Sequence, residues 1–120
     1  KRGQAIWFAP DQDFGTKGTI FAPFFLVANA STSKGVAAIA KLSKSPILTA
    51  TMIRNNESGK RPYELIIGKE IADFPCGDDL ADAEKLNQII EAEIMHAPDQ
   101  YLWAHRRFKT RPPGENSLYK

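Results

Sequence analysis

Apolar residues recur at three- and four-residue spacing between Asp82 and Ala97, which would give a helix over this stretch one continuous apolar side. The residues on that side are Ala83, Leu86, Ile89, Ile90, Ile94 and Ala97. Such a stripe predicts an amphipathic helix that packs against a core. Asp78, Asp79 or Asp82 could cap its start, where carboxylates also favour the positive end of the helix dipole. Pro98 predicts that the helix ends or kinks there.

A shorter helix is predicted over residues 34–43, because Ser31, Thr32 and Ser33 directly before it are good N-cap residues. The apolar face of this helix would consist of Val36, Ile39, Ala40 and Leu42.

Several other runs predict strands. Residues 5–9, "AIWFA", are continuously apolar, as expected for a strand covered on both faces of a sheet. Residues 47–54 and 63–68 flank the turn "NNESGKRP" and predict a hairpin. Residues 19–28 are also apolar, but Pro23 argues against a central strand throughout. The order strand, helix, strand, strand, helix predicts an α/β domain with a mixed sheet and flanking helices.

Charge is unevenly distributed, although the formal net charge is only +2. The segment 70–99 contains one cation, Lys85. Its acids are Glu70, Asp73, Asp78, Asp79, Asp82, Glu84, Glu91, Glu93 and Asp99. Residues 106–111 contain no acid and carry the cations Arg106, Arg107, Lys109 and Arg111. This asymmetry predicts a surface directed at an anionic partner. The 120 residues, 42% of them hydrophobic, suffice for one globular core.

The single cysteine, Cys76, excludes an intrachain disulfide and a Cys-x-x-Cys metal or redox motif. No run approaches the roughly 18 uninterrupted apolar residues of a membrane-spanning helix. The chain has no initiator Met and enters the apolar run 5–9 after four residues. We therefore expect it to be a piece of a longer protein.

The loop "PDQDFG" places Asp11 and Asp13 just after the first predicted strand. Ligands of open α/β sheets bind beyond the carboxyl ends of strands, so these carboxylates could bind sugar hydroxyls, orient a histidine or hold a divalent metal. The alternative is turn chemistry, in which Asp bonds to nearby backbone groups. His96 and His105 have no metal-ligand companion at three- or four-residue spacing, and His105 is only weakly supported as a general base.

Residues 101–112, "YLWAHRRFKTRP", combine aromatic rings with cations. If residues 101–107 are helical, Trp103 and Arg107 share a face. Such a run suits a phospholipid interface, where rings lie at headgroup depth and guanidinium groups bind phosphate. It also suits nucleic acid, through stacking and phosphate contacts. A third interpretation is a solvated helix end, where cations are favourable. Physical chemistry alone leaves all three open.

Two blocks, "IWFAPDQDFGTKGTIFAPFF" (6–25) and "APDQYLWAHRRFKTRP" (97–112), together resemble the late acyltransferases of lipid A biosynthesis in Gram-negative bacteria. These are the lauroyl, myristoyl and palmitoleoyl transferases. The resemblance implies transfer of a fatty acyl chain from acyl carrier protein to a Kdo-bearing lipid A precursor during lipopolysaccharide biosynthesis, at the cytoplasmic face of the inner membrane. The implied partners are acyl carrier protein, the anionic precursor and inner-membrane lipid, with no cofactor, metal or nucleic acid.

The implied fold is the α/β sandwich of the glycerolipid acyltransferases, with residues 1–112 as the C-terminal portion of that domain and residues 113–120 as a tail. In that fold a His-x4-Asp/Glu motif supplies the base that deprotonates the acceptor hydroxyl. His96 is followed five residues later by Tyr101, and His105 by Thr110, so neither histidine fits the motif. We therefore expect that this chain contains no catalytic residue and that the motif lies upstream of it. We also expect that this piece alone is inactive.

The resemblance assigns substrate-binding roles to residues of both blocks. In the first block these residues are Asp11, Gln12, Asp13, Lys17 and Gly18, the last two expected near the acceptor's phosphates. In the second block they are Trp103, His105, Arg106, Arg107, Lys109 and Arg111. Forked guanidinium groups beside aromatic rings suit a bis-phosphorylated lipid. The rival hypothesis is a non-catalytic module that binds acidic phospholipid or RNA through the basic, aromatic C-terminal patch.

Overall fold

The computed structural model describes residues 3–57, 59 and 61–120. Its elements, in chain order, are β1 (Thr19–Phe24), β2 (Val27–Ser33), α1 (Gly35–Ser43), β3 (Leu48–Arg54), β4 (Tyr63–Glu70) and α2 (Asp79–Ile94). Two short 3-10 turns follow, Pro98–Gln100 and Trp103–His105. The chain is thus a small α/β structure, as predicted.

The four described strands form two separate antiparallel hairpins, β1–β2 and β3–β4. The predicted hairpin on either side of residues 55–62 is confirmed. The predicted mixed sheet is wrong for the described residues, since each sheet has only two strands and both run antiparallel. Pro23 lies where the β1–β2 register shifts between Ala22 and Phe24. This place suits proline, because it lacks the N–H that a regular ladder requires.

Residues 5–9 do not form the predicted strand. Ile6 and Trp7 are 71% and 81% exposed, and the described residues offer this segment no ladder partner. An apolar run becomes a strand only when a neighbouring strand accepts its backbone hydrogen bonds, so the local pattern alone was insufficient.

Helix α1 confirms the predicted short helix, but its cap differs from the prediction. Lys34 occupies the N-cap position without a side-chain hydrogen bond, while Ser31 and Thr32 belong to β2 and are fully buried. These hydroxyl groups are used in tertiary contacts instead, which outweigh the local capping preference. Val36 and Ala40 are buried as expected, whereas Leu42 is 85% exposed and lies outside the packed face.

Helix α2 confirms the predicted amphipathic helix and begins three residues before Asp82. Its N-cap is Asp78, whose carboxylate accepts a hydrogen bond from the backbone N–H of Ala81 over 2.8 Å. The helix stops at Ile94, so Ala97 lies beyond it, and Pro98 opens the following 3-10 turn. The buried residues of α2 are Asp82, Ala83, Leu86, Asn87 and Ile94.

Polar side chains of α2 bind both hairpins. On the β1–β2 side, Asn87 donates to the Pro23 carbonyl over 2.7 Å, and Glu91 accepts from the Phe25 N–H over 2.7 Å. On the β3–β4 side, Glu93 accepts from the hydroxyls of Thr49 and Thr51, over 2.8 and 2.6 Å. The helix is therefore the element that fixes the two hairpins to one another.

Residues 101–107 are not an α-helix. A 3-10 turn spans Trp103–His105, and Arg106 has a left-handed φ of 58°, which ends any helical continuation. Trp103 and Arg107 therefore do not share a helix face. The segment instead packs its rings onto the first hairpin, with Tyr101 and Phe108 against the buried cluster of Phe24, Ala30 and Ile94. Within the described residues, no helix is both long and apolar enough to span a membrane.

Candidate functional site where the first loop meets the C-terminal segment

The loop after residue 10 and the segment around residue 105 lie against each other. The Tyr101 hydroxyl donates to the backbone carbonyl of Asp11 over 3.3 Å. The Nε2 atom of His105 lies 3.3 Å from the same oxygen. The two blocks that carry the family resemblance, at opposite ends of the chain, are thus parts of one structural feature.

Asp13 anchors this junction with its carboxylate. The side chain is only 6% exposed. Its Oδ1 accepts from the Gly15 N–H over 2.9 Å, and its Oδ2 accepts from the Thr110 N–H over 2.8 Å. The first contact is the local turn chemistry that the sequence left as an alternative, and the second is a long-range contact between the blocks. Both oxygens are therefore engaged by backbone groups.

Arg107 is enclosed by protein. Its side chain is 1% exposed, donates from Nη1 to the Ser31 carbonyl over 2.7 Å, and reaches the Thr32 hydroxyl from Nη2 over 3.4 Å. The guanidinium carbon lies 4.7 Å from the centre of the Phe24 ring, within cation–π range. Burial lowers the pKa of the Arg107 guanidinium, and nearby charges, including that of Asp13, oppose this effect. The side chain does not present a free cation to solvent.

Tyr101 joins the aromatic cluster to the loop. Its ring packs edge-on against Trp103, with centroids 4.7 Å apart, and Trp103 lies 5.9 Å from Phe25. Burial, reinforced by the negative charge of Asp11, raises the pKa of Tyr101 to about 12. The phenol therefore keeps its proton at neutral pH and remains a donor to the Asp11 carbonyl.

The predicted binding residues differ in accessibility. The exposed ones are Gln12, Lys17, Gly18, Trp103, Arg106 and Lys109. The half-buried ones are Asp11, His105 and Arg111, and the buried ones are Asp13 and Arg107. The structure brings Asp11, Asp13 and His105 to one junction. Their roles toward a substrate, like those of the exposed residues, stay predictions.

Arg111 connects the C-terminal tail to the first hairpin. It donates to the Asn29 carbonyl over 2.7 Å and forms an ion pair with Glu115. Glu115 also accepts from the Asn29 side-chain amide over 2.6 Å, and the Tyr119 hydroxyl accepts from the Phe108 N–H over 3.0 Å. The tail thus contributes contacts that hold the second block in place.

Sequence reasoning missed the structural partners of the site. Ser31 donates its hydroxyl proton to the Gly15 carbonyl over 2.6 Å, and Thr32 pairs with Asn87 inside the core. The only sequence signal was a run of hydroxyl residues after an apolar segment, which is equally typical of a helix N-terminus. Among the described residues, no group of three or more His, Cys, Asp or Glu side chains is placed to hold a metal ion.

Comparison with known proteins identifies relatives along the whole chain. Residues 1–110 match the model of a family described as bacterial lipid A biosynthesis acyltransferase. The chain is 53% identical over 120 residues to a lipid A biosynthesis palmitoleoyltransferase of Escherichia coli strain K12, covering 99% of this chain and 38% of that protein. It is 40% identical over 119 residues to the lauroyltransferase of the same strain, covering 99% of this chain and 38% of the relative.

A lipid A biosynthesis myristoyltransferase from that strain is 26% identical over 120 residues, which cover 100% of this chain and 36% of the relative. The chain thus spans little more than a third of the length of these relatives. No solved structure matches it. The extent of the family match, over all but the last ten residues, shows that the chain belongs to the bacterial lipid A biosynthesis acyltransferase family.

Proposed function

We propose that the full-length protein transfers a fatty acyl chain from acyl carrier protein to a Kdo-bearing lipid A precursor in lipopolysaccharide biosynthesis, at the cytoplasmic face of the bacterial inner membrane. The observation that carries this proposal is the family match over residues 1–110. It is supported by relatives at 53% and 40% identity that are named as palmitoleoyl and lauroyl transferases.

In the proposed reaction a general base removes the proton from a hydroxyl on the precursor's acyl chain. The hydroxyl oxygen attacks the thioester carbonyl of the donor, a new ester forms, and the carbon–sulfur bond breaks. The protonated base gives its proton to the leaving sulfur, which releases the carrier thiol and restores the base. We assign the base to the His-x4-Asp/Glu motif of the glycerolipid acyltransferases, outside this chain. His96 lies on the surface 3.8 Å from Glu93, but this carboxylate precedes it by three residues, whereas the motif places the acid five residues after the histidine. His105 contacts a backbone carbonyl, and Thr110 stands five residues after it.

For this chain we propose a role in binding the anionic acceptor. Lys17, Arg106 and Lys109 are exposed. The C-terminal segment is held to the loop by the part-buried bond between Thr110 and Asp13, and to β2 by the buried bond between Arg107 and Ser31. Exposed cations on a rigid support suit the phosphates of a lipid headgroup, since the support reduces the entropy lost on binding. Trp103, 49% exposed and three positions before Arg106 in the chain, offers a ring to the interface between headgroup and hydrocarbon.

The test is an assay of the full-length protein purified in detergent, with radiolabelled acyl chain on acyl carrier protein and a tetra-acylated Kdo-bearing precursor as acceptor. Transfer of label to the precursor is the expected result. Binding of RNA with a steep salt dependence, together with no transfer, would instead favour the binding-module hypothesis. Reading the parent gene for a His-x4-Asp/Glu motif upstream of the matched region provides an independent check.

A further inference from the structure

One buried and three part-buried hydrogen bonds of the site form a closed circuit. Arg107 donates to the Ser31 carbonyl over 2.7 Å, and the Ser31 hydroxyl donates to the Gly15 carbonyl over 2.6 Å. The Gly15 N–H donates to one oxygen of Asp13 over 2.9 Å, and the other oxygen accepts from the Thr110 N–H over 2.8 Å. The backbone between residues 107 and 110 closes the ring.

We propose that Arg107 is a positioning residue of the transferase, which acts through Ser31 to fix the loop 11–15 where the acceptor binds. This inference rests on the proposed function, and it replaces the direct phosphate contact that the sequence predicted for Arg107. The loop carries the exposed Gln12 and the half-buried Asp11. Its conformation therefore determines which protein groups the acceptor can contact.

Burial is the reason that Arg107 acts indirectly. Ser31 is 0%, Arg107 1% and Asp13 6% exposed, which leaves no surface on these side chains for a lipid phosphate. Burying a guanidinium is costly unless hydrogen bonds replace its water. Here two protein oxygens and the Phe24 ring replace part of that water, while the buried Nε–H has no hydrogen-bond partner among the described residues. A cation kept in the interior under this cost is expected to determine local geometry.

The forked shape of the guanidinium matters for this role. Nη1 reaches the carbonyl of Ser31 while Nη2 reaches the hydroxyl of Thr32, so one side chain fixes two consecutive residues of β2. A lysine ammonium has the same charge but is a single point, and it cannot reproduce both contacts in the same geometry. Arg107→Lys therefore separates the effect of charge from that of shape.

The experiment measures steady-state kinetics of the full-length protein with the tetra-acylated precursor as varied substrate. The variants are Arg107→Met, Ser31→Ala, the double variant and Arg107→Lys. Arg54→Met is the matched control, because Arg54 is an exposed arginine of β3 whose hydrogen bonds to Gln100 of the second block use its backbone atoms, which the substitution retains. We expect each of the first two variants to raise KM for the acceptor about 10-fold, with kcat and KM for acyl carrier protein changed less than about 2-fold.

The double variant tests whether Arg107 acts through Ser31. If it does, the increase in KM of the double variant is at least about 3-fold smaller than the product of the two single increases. The acceptor KM of Arg107→Lys is expected to lie between those of wild type and Arg107→Met, and the acceptor KM of Arg54→Met is expected to equal that of wild type. An acceptor KM that is unchanged in folded variants would overturn the proposal. It would also be overturned if the increase in KM of the double variant equalled the product of the two single increases.

Amide hydrogen exchange separates this inference from the proposed function. Ser31→Ala should increase exchange at the Gly15 and Thr110 amides, and leave the amides of α1 unchanged, whether or not the protein transfers acyl chains. Lack of transfer by wild type would refute the proposed function alone, whereas unchanged exchange at both amides would refute the circuit. If Arg107→Met does not fold, Ser31→Ala and Arg107→Lys decide the outcome.

Discussion

The Asp13 carboxylate accepts a hydrogen bond from the Thr110 backbone N–H over 2.8 Å, between residues 97 positions apart in the chain. This contact joins the two sequence blocks that mark the family. Because the other carboxylate oxygen binds the Gly15 N–H, one buried side chain fixes both the loop and its neighbour.

Removal of this carboxylate should destabilise the protein. Asp13→Ala leaves the N–H groups of Gly15 and Thr110 without their acceptor, so we expect the free energy of unfolding to fall by about 1–3 kcal/mol. Urea unfolding measures this change. Glu64→Ala, at an exposed position of β4, is the control and should stay within about 0.5 kcal/mol of wild type. An Asp13→Ala protein as stable as the control would contradict the role given to this carboxylate.

Tyr101 should give the protein a specific sensitivity to alkaline pH. Its pKa is raised from 10.0 to about 12 in the folded state by burial and by the charge of Asp11. Between these values the unfolded chain loses the phenol proton while the folded chain keeps it, so the contribution to stability is complete below pH 10 and is lost as the pH rises toward 12.

Unfolding free energies measured across that range test this prediction. Tyr101→Phe should remove the decline attributed to the phenol, whereas Tyr63→Phe, at a ring 59% exposed, should retain it. The same decline in Tyr101→Phe as in wild type would show that Tyr101 is not its source.

The sequence predicted the elements whose signal lies in residues close together in the chain. The spacing of Leu86, Ile90 and Ile94 predicted α2, and the paired runs around residues 55–62 predicted the β3–β4 hairpin. Residues 5–9 have an equally apolar pattern but form no strand, because a strand requires a partner that the pattern does not specify.

The candidate site could be located from the sequence, but the roles of its side chains could not be separated. Arg106 and Arg107 are adjacent and chemically identical, yet one is exposed and the other is 1% exposed. The difference arises from the left-handed φ of 58° at Arg106 and from acceptors on β2, far away in the chain. No periodicity of the segment encodes such long-range acceptors.

Gly68 should tolerate no side chain, because a Cβ atom there would overlap the Thr49 hydroxyl that binds Glu93. We expect Gly68→Ala to lower the free energy of unfolding by about 1–3 kcal/mol through steric overlap and separation of β3 from α2. In a Thr49→Ala background the hydroxyl is absent, so the cost of Gly68→Ala should be smaller. Thermal or urea unfolding of the four proteins measures both costs. Equal costs in the two backgrounds would rule out this overlap as the cause.

The exposed cation Arg106 should contribute to binding of the acceptor phosphates. Arg106→Asn removes the charge while keeping a residue that accepts a left-handed backbone, so folding is expected to be preserved. We expect KM for the bis-phosphorylated precursor to rise about 10-fold, as for loss of one charge-assisted hydrogen bond. With a dephosphorylated acceptor, Arg106→Asn and wild type should show the same KM. A similar increase for both acceptors would mean that Arg106 does not recognise phosphate.

The measurement that tests the central claim most directly is transfer of radiolabelled acyl chain from acyl carrier protein to a tetra-acylated, Kdo-bearing precursor by the purified full-length protein. We predict labelled penta-acylated product that depends on both donor and acceptor. A folded full-length protein that forms no labelled product with both substrates present would contradict the assignment of this activity.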